Sequence, residues 1–112
     1  MNFMQVAVGD TILSPLDLHD YLVLRKTRTH VIAQRTVIIT PESVSDYLVF
    51  RNVGYDPIVF QELKLGERVT LGSPHDLHTV AMRSSTALPC VIAVDIRVID
   101  IDEIKEWVPN EF

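Results

Sequence analysis

VDIRV, residues 94–98, alternates apolar and charged side chains with a period of two. A β-strand turns successive side chains to opposite faces, so Val94, Ile96 and Val98 share one side and Asp95 and Arg97 the other. The pattern predicts a half-buried strand, its apolar row against a core and its charged row in water. The same period governs DYLVFRN, residues 46–52, where Leu48 and Phe50 share one face and Tyr47, Val49 and Arg51 the other. Runs of this kind, rich in β-branched and aromatic residues, recur near 3–8, 10–14, 20–26, 30–40, 46–52, 57–63, 67–72, 78–84 and 90–99. Turn residues such as Gly9-Asp10, Ser14-Pro15, Pro41, Asn52, Gly54, Gly66 and Ser73-Pro74 separate them. No helical pattern long enough for a parallel crossover lies between consecutive runs. The expected class is all-β: an antiparallel β-sandwich or jelly-roll-like barrel over residues 1–99.

Residues 100–112 read differently. Asp100 and Glu103 resemble a capping pair, Ile101, Ile104 and Val108 repeat on one side, and Pro109 stops the turn. This predicts a short acidic C-terminal helix or arm, lying across the sheet or anchored on another chain by Trp107.

With 112 residues the chain has material for one core, and 47% hydrophobic against 22% charged residues is the balance of a folded protein. No apolar run approaches the roughly 20 residues of a membrane helix, and the amino terminus has neither the basic start nor the apolar stretch of a signal peptide. Cys90 stands alone in an apolar run, so a buried thiol and a reducing cytoplasm are expected. Charge is segregated within the net −5: residues 100–112 carry five acids against one base, and residues 21–41 carry four bases and no acid. One subunit's acidic end is thus complementary to its neighbour's basic segment. Overall acidity disfavours nucleic acid.

Ser-Pro-x-Asp-Leu-His occurs twice, at 14–19 and 73–78, and TPESVSDYLVFRN (40–52) reads as a third relative in which Ser45 replaces the histidine. Three units of strand, proline turn and strand are therefore expected, with the prolines serving backbone geometry. His75 and His78, three apart, form the best metal candidate with His19, but the spacing offers no complete ligand set, and no metal or cofactor is expected. Asp17, Asp20, Asp46, Asp56, Glu62 and Asp76 read as solvated turn acids rather than a catalytic pair. There is no Gly-x-Ser-x-Gly and no phosphate-cradling glycine loop, so the chain reads as a non-enzyme. Arg25 and Arg51 end related strands, with anion binding as their functional reading.

SDYLVFRNVGYDPIVFQELKLGERVTL, residues 45–71, resembles the strand–turn–strand–turn–strand core of small β-sandwich proteins on tailed-phage virions. The matching residues are Asn52, Gly54, Pro57, Leu65, Gly66 and Glu67; the Ser-Pro repeat at the front of the chain has no counterpart in that pattern. The resemblance implies a structural, non-catalytic capsid-decoration, cement or tail-accessory protein, located in the virion after assembly in the host cytoplasm. Its partners would be itself, a trimer being the favoured homo-oligomer, and other virion proteins, with no membrane. The alternative is a small acidic binding or inhibitor module acting on a host protein. The expected interface residues are Arg25, Lys26, Arg28, Arg35, Asp102, Glu103, Glu106, Trp107 and Phe112.

Overall fold

The computed structural model describes residues 1–52, 54–72, 76–84 and 88–110. The chain is all-β. Among the described residues nine strands form: β1 (Thr11–Leu13), β2 (Asp20–Lys26), β3 (His30–Ile39), β4 (Leu48–Arg51), β5 (Gly54–Pro57), β6 (Arg68–Thr70), β7 (His78–Ser84), β8 (Cys90–Asp100) and β9 (Val108–Pro109). They are hydrogen-bonded in the order β5-β4-β6-β7-β8-β3-β2-β1-β9. That order describes one hydrogen-bonded sheet.

Among the described residues the only helical pieces are 3-10 turns: Phe3–Gln5, Val44–Asp46, Phe60–Glu62 and Glu103–Glu106. Two of them correct strand expectations, at 3–8 and 57–63, and the last corrects the C-terminal helix. The capping chemistry read from Asp100 is present, since its Oδ1 accepts from the backbone N–H of Asp102 at 2.9 Å and of Glu103 at 2.7 Å. One turn later the chain is extended again, and Val108 and Pro109 pair with Leu13 and Ile12. Proline cannot continue the helix, and β1 offers the backbone an alternative partner.

The chain forms two compact units, Met1–Arg35 with Ile96–Phe112, and Thr36–Asp95. Residues 100–110 belong to the first of these. Its core contains Phe3, Val6, Ile12, Tyr21, Val23, Val31, Ala33, Ile99, Ile104 and Trp107. Strand residues supply one wall, and the turns carrying Phe3 and Ile104 supply the other. In the second unit Ile39, Val49, Phe60, Leu63, Val69, Val80, Val91 and Ala93 play the same parts.

The two units are copies of one plan. Phe3–Gln5, β1, β2, β3, Val44–Asp46 and β4 correspond in order to Phe60–Glu62, β6, β7, β8, Glu103–Glu106 and β9. The correspondence reaches individual bonds. Gly9 N–H donates to Val23 O and Val23 N–H to Asp10 O, both at 2.9 Å, while Gly66 N–H donates to Val80 O and Val80 N–H to Glu67 O, both at 2.8 Å. Asp10 accepts from Ala7 N–H at 2.9 Å, and Glu67 from Lys64 N–H at 2.8 Å. Gly9 and Gly66 both sit at positive φ, +96° and +88°, which the tight turn requires and glycine adopts without strain. A β-bulge interrupts β2 between Val23 and Arg25, and β7 between Val80 and Met82. β3 and β8 bury Val31, Ala33 and Ile39, and Val91, Ala93 and Ile99, in the same pattern.

The repeat is therefore twofold. TPESVSDYLVFRN does not correspond to the stretch beginning at Ser14; its Val44 turn and β4 correspond to the Ile104 turn and β9. Nor do the histidines of the repeated hexapeptides correspond. Val23 pairs with Ala33 and Val80 with Ala93, so His78, two residues before Val80, occupies the place of Tyr21, and His19 precedes its strand. The last part of each copy is built into the unit that begins with the other.

Candidate assembly surface

VDIRV folds as the strand expected of it, but with its faces reversed. Along β8 the buried row is Val91, Ala93 and Ile99, and the residues between them on that row are Asp95 and Arg97. Ile96 and Val98, expected against a core, are 54% and 59% exposed. Arg97, expected in water, is held on the inner side of the first unit, its guanidinium 5.4 Å from the Tyr21 ring centroid and 3.7 Å from an Asp17 carboxylate oxygen. Tyr21 O–H also reaches Asp17, at 3.4 Å. A stacked, paired arginine of this kind keeps its charge while covering an aromatic face.

The outer side of the first unit is apolar. On β2, Leu22 and Leu24 alternate with buried Tyr21 and Val23 and are 46% and 43% exposed. The bulge places Arg25 opposite Ile32 of β3, and Leu22 lies opposite Gln34. β8, next to β3 in strand order, adds Ile96 and Val98. A single exposed leucine is unremarkable, but several on adjacent strands of one face form the kind of patch that marks an interaction site.

One end of this face is charged with both signs. His30 and Asp100 end the outer rows of β3 and β8, and Arg28 is exposed in the hairpin between β2 and β3. Beside them the Glu103–Glu106 turn exposes Asp102, Glu103 and Glu106. The backbone N–H of Glu103, then its side chain and the N–H of Asp102, hold the Asp100 carboxyl below the usual aspartate range. The Asp100 charge, and a hydrogen bond to it, push Glu103 above the usual glutamate range. His30 is close enough to lower both. Met1 and Trp107 meet on the inner side, where the terminal ammonium donates to Trp107 O at 2.8 Å and Lys105 O at 3.2 Å.

The residues expected at an interface divide accordingly. Arg25, Arg28, Asp102, Glu103 and Glu106 are exposed. Arg35 is half-buried and engaged within the chain. Lys26 is committed inward, donating to Val6 O at 3.0 Å with its ammonium 4.5 Å from the Phe3 centroid. Trp107 is buried, edge-on to Tyr21 with centroids 5.3 Å apart, so it anchors the acidic segment to its own unit. Phe112 lies outside the described residues. Ile96 and Val98 were missed because their apolar row was read as pointing inward, and Leu22, Leu24 and Ile32 were assigned to no face.

The histidines do not converge. His19 is half-buried with a partner inside the chain, and His75 lies outside the described residues. His78 is buried; its Nδ1 lies 3.0 Å from Asp76 O, so Nδ1 carries the proton, and Nε2 is enclosed without a hydrogen-bond partner among the described residues. That places it as a core residue in Tyr21's position rather than a ligand. No group of three or more His, Cys, Asp or Glu able to hold a metal is present among the described residues. Nor, among these residues, is any helix long and apolar enough to cross a membrane. Asp20, Asp46, Asp56 and Glu62 are exposed, while Asp17 and Asp76 are engaged with Arg97 and within the chain. Arg51 is paired with Glu67 at 2.9 Å, which raises the arginine further and holds Glu67 below the usual glutamate range. Cys90 is half-buried, lining an apolar groove with Ile38, Pro41, Leu88 and Pro89 in the second unit.

Within 45–71, Asn52 adopts a positive φ of 56°, Gly66 turns the chain into β6, and Pro57 ends a strand instead of beginning one. Comparison with protein-family models, with curated proteins and with solved structures finds no match.

Proposed function

We propose that this chain is a non-catalytic structural protein that works by associating with copies of itself and with other proteins of a larger assembly, of the capsid-decoration or tail-accessory kind. The observation that carries the reading is the outer face of the first unit, where Leu22, Leu24, Ile96 and Val98 are presented to solvent while charged Arg97 is turned inward. A sequence under pressure only to fold and stay soluble places those side chains the other way round. The virion setting rests on the resemblance of residues 45–71. Analytical ultracentrifugation over a wide concentration range tests the association: reversible growth of the sedimenting species is expected. A monomer at every concentration overturns it. A monomer that instead captures one host protein through the exposed carboxylates of Asp102 and Glu106 supports the inhibitor reading.

A further inference from the structure

We infer that the first unit carries a docking slot, at β9 and Asp10, for an extended basic segment of another protein chain. The inference rests on the assembly reading above for the partner being a protein, and it names the place and the chemistry of the contact.

The slot is defined by the other copy of the plan. β9 ends the strand order. Pro109 and Asn110 line, with Met1, Gln5, Asp10 and Thr11, a cavity of about 370 Å³. Pro109 lies opposite Ile12 as Val49 lies opposite Val69, so Pro109 corresponds to Val49 and Asn110 to Phe50. In the second unit Val49 and Phe50 are paired on their other side with Asp56 and Tyr55 of β5. The first unit thus presents a cavity at the residues whose counterparts carry an added strand.

Charge selects the occupant. Asp10 corresponds to Glu67, and both accept a backbone N–H of the same turn, from Ala7 at 2.9 Å and from Lys64 at 2.8 Å. The other oxygen of Glu67 accepts from Arg51 Nε at 2.9 Å. Asp10 has no basic partner among the described residues. In the sequence Arg51 follows Phe50, whereas Glu111 follows Asn110. An acid repels the Asp10 carboxylate, so the complementary group is an arginine or lysine of the incoming segment.

Pro109 restricts how that segment is held. Asn110 N–H donates to Thr11 O of β1 at 2.9 Å. Successive backbone groups of a strand point to opposite sides, so the Pro109 nitrogen faces the open edge, and it carries no N–H. An added strand can donate to Pro109 O but receives nothing from that residue, which discourages indiscriminate pairing. Strand addition draws affinity from main-chain bonds and selectivity from side chains. With a main-chain bond lost, the ion pair to Asp10 decides which segments bind.

The test uses the full chain and a labelled peptide, Arg-Asn-Val-Gly-Tyr-Asp-Pro, the sequence of residues 51–57, which includes Arg51 and β5. Saturable binding by fluorescence anisotropy is expected. Asp10→Asn keeps an oxygen for Ala7 N–H while removing the charge, and should weaken binding about fivefold. A peptide with glutamate in place of its arginine should bind more weakly still. A variant in which Glu111→Arg and Phe112→Asn are followed by Val-Gly-Tyr-Asp-Pro carries the same segment in cis and should no longer take up the peptide. No binding by the wild type, or binding that neither charge change alters, overturns the slot. If Asp10→Asn loses its native circular dichroism, the two peptides decide. Sedimentation separates this result from the assembly reading. Self-association without peptide binding overturns the slot and leaves that reading standing. Peptide binding by a chain that is monomeric at every concentration supports the slot and overturns self-association. Self-association that Asp10→Asn abolishes assigns the slot to a second copy and overturns the foreign partner.

Discussion

Replacing Arg83 with alanine tests the internal duplication at a single side chain. Its guanidinium donates to Phe60 O and Leu63 O, both at 2.6 Å, and lies 5.0 Å from the Phe60 ring centroid. Those contacts tie the Phe60–Glu62 turn over the second core. A hydrogen bond from a charged donor contributes roughly 1.5–3 kcal/mol, and an exposed cation–π contact about 0.5–1 kcal/mol. One exposed group makes all three contacts, and water screens it, so the losses do not add; about 2 kcal/mol is expected for Arg83→Ala. That is a substantial part of a total stability of roughly 5–15 kcal/mol, and corresponds to a fall of about 10 °C in Tm for a domain near this size. Lys26 occupies the equivalent place and reaches one carbonyl, so Arg83→Lys should keep about half of the effect. Urea and thermal denaturation of the two variants, with Arg25→Ala on the outer face as a control within about 0.5 kcal/mol of wild type, measure this directly. An Arg83→Ala chain as stable as that control, or a lysine no better than alanine, refutes the reasoning.

Two further outcomes follow from the same plan. Glu67 has its carboxyl lowered chiefly by the hydrogen bond from Arg51, with the Lys64 N–H adding to it. A lowered folded value means the contribution is complete above the unfolded value of about 4.3 and disappears as the pH falls through the folded one. The stability difference between wild type and Glu67→Gln should therefore be flat near neutrality and shrink toward zero in acid; a difference that widens in acid contradicts it. Gly66→Ala, at a φ of +88° with no atom near the new methyl, should lose about 1 kcal/mol through backbone strain alone, and Gly9→Ala the same amount. Denaturation curves compare them, and unequal losses well beyond 1 kcal/mol would show that the two turns are not equivalent.

The all-β class and most strand positions were legible because a period of two is a direct imprint of the pleat. β2, β3, β7 and β8 fall where the alternation places them. The orientation of the faces was not legible. A period of two identifies two rows without saying which is buried, and β8 serves two cores: Val91 and Ala93 go to one, Ile99 to the other, with Asp95 and Arg97 on the same row between. Local polarity therefore pointed the wrong way at VDIRV. The repeat was misread for a related reason. The matching His19 and His78 fall at different structural positions, whereas the real equivalence joins dissimilar pairs such as Tyr21 with His78 and Lys26 with Arg83. Phe3–Gln5 and Phe60–Glu62 look like strand sequence, but a side chain from a distant strand satisfies or covers each turn, and no local window contains that partner. The same face error hid Ile96 and Val98, which the alternation assigned to the interior and which are 54% and 59% exposed.

The exchange of final segments between the two copies has a consequence during synthesis. As a growing chain leaves the ribosome, Phe3, Tyr21 and Val31 emerge early, yet the wall that encloses them includes Ile99, Ile104 and Trp107. Those three residues must wait, uncovered, until Trp107 has been made. Loops closed over such spans are slow to form, so a product ended before Ile99 would leave this core open to proteases and chaperones.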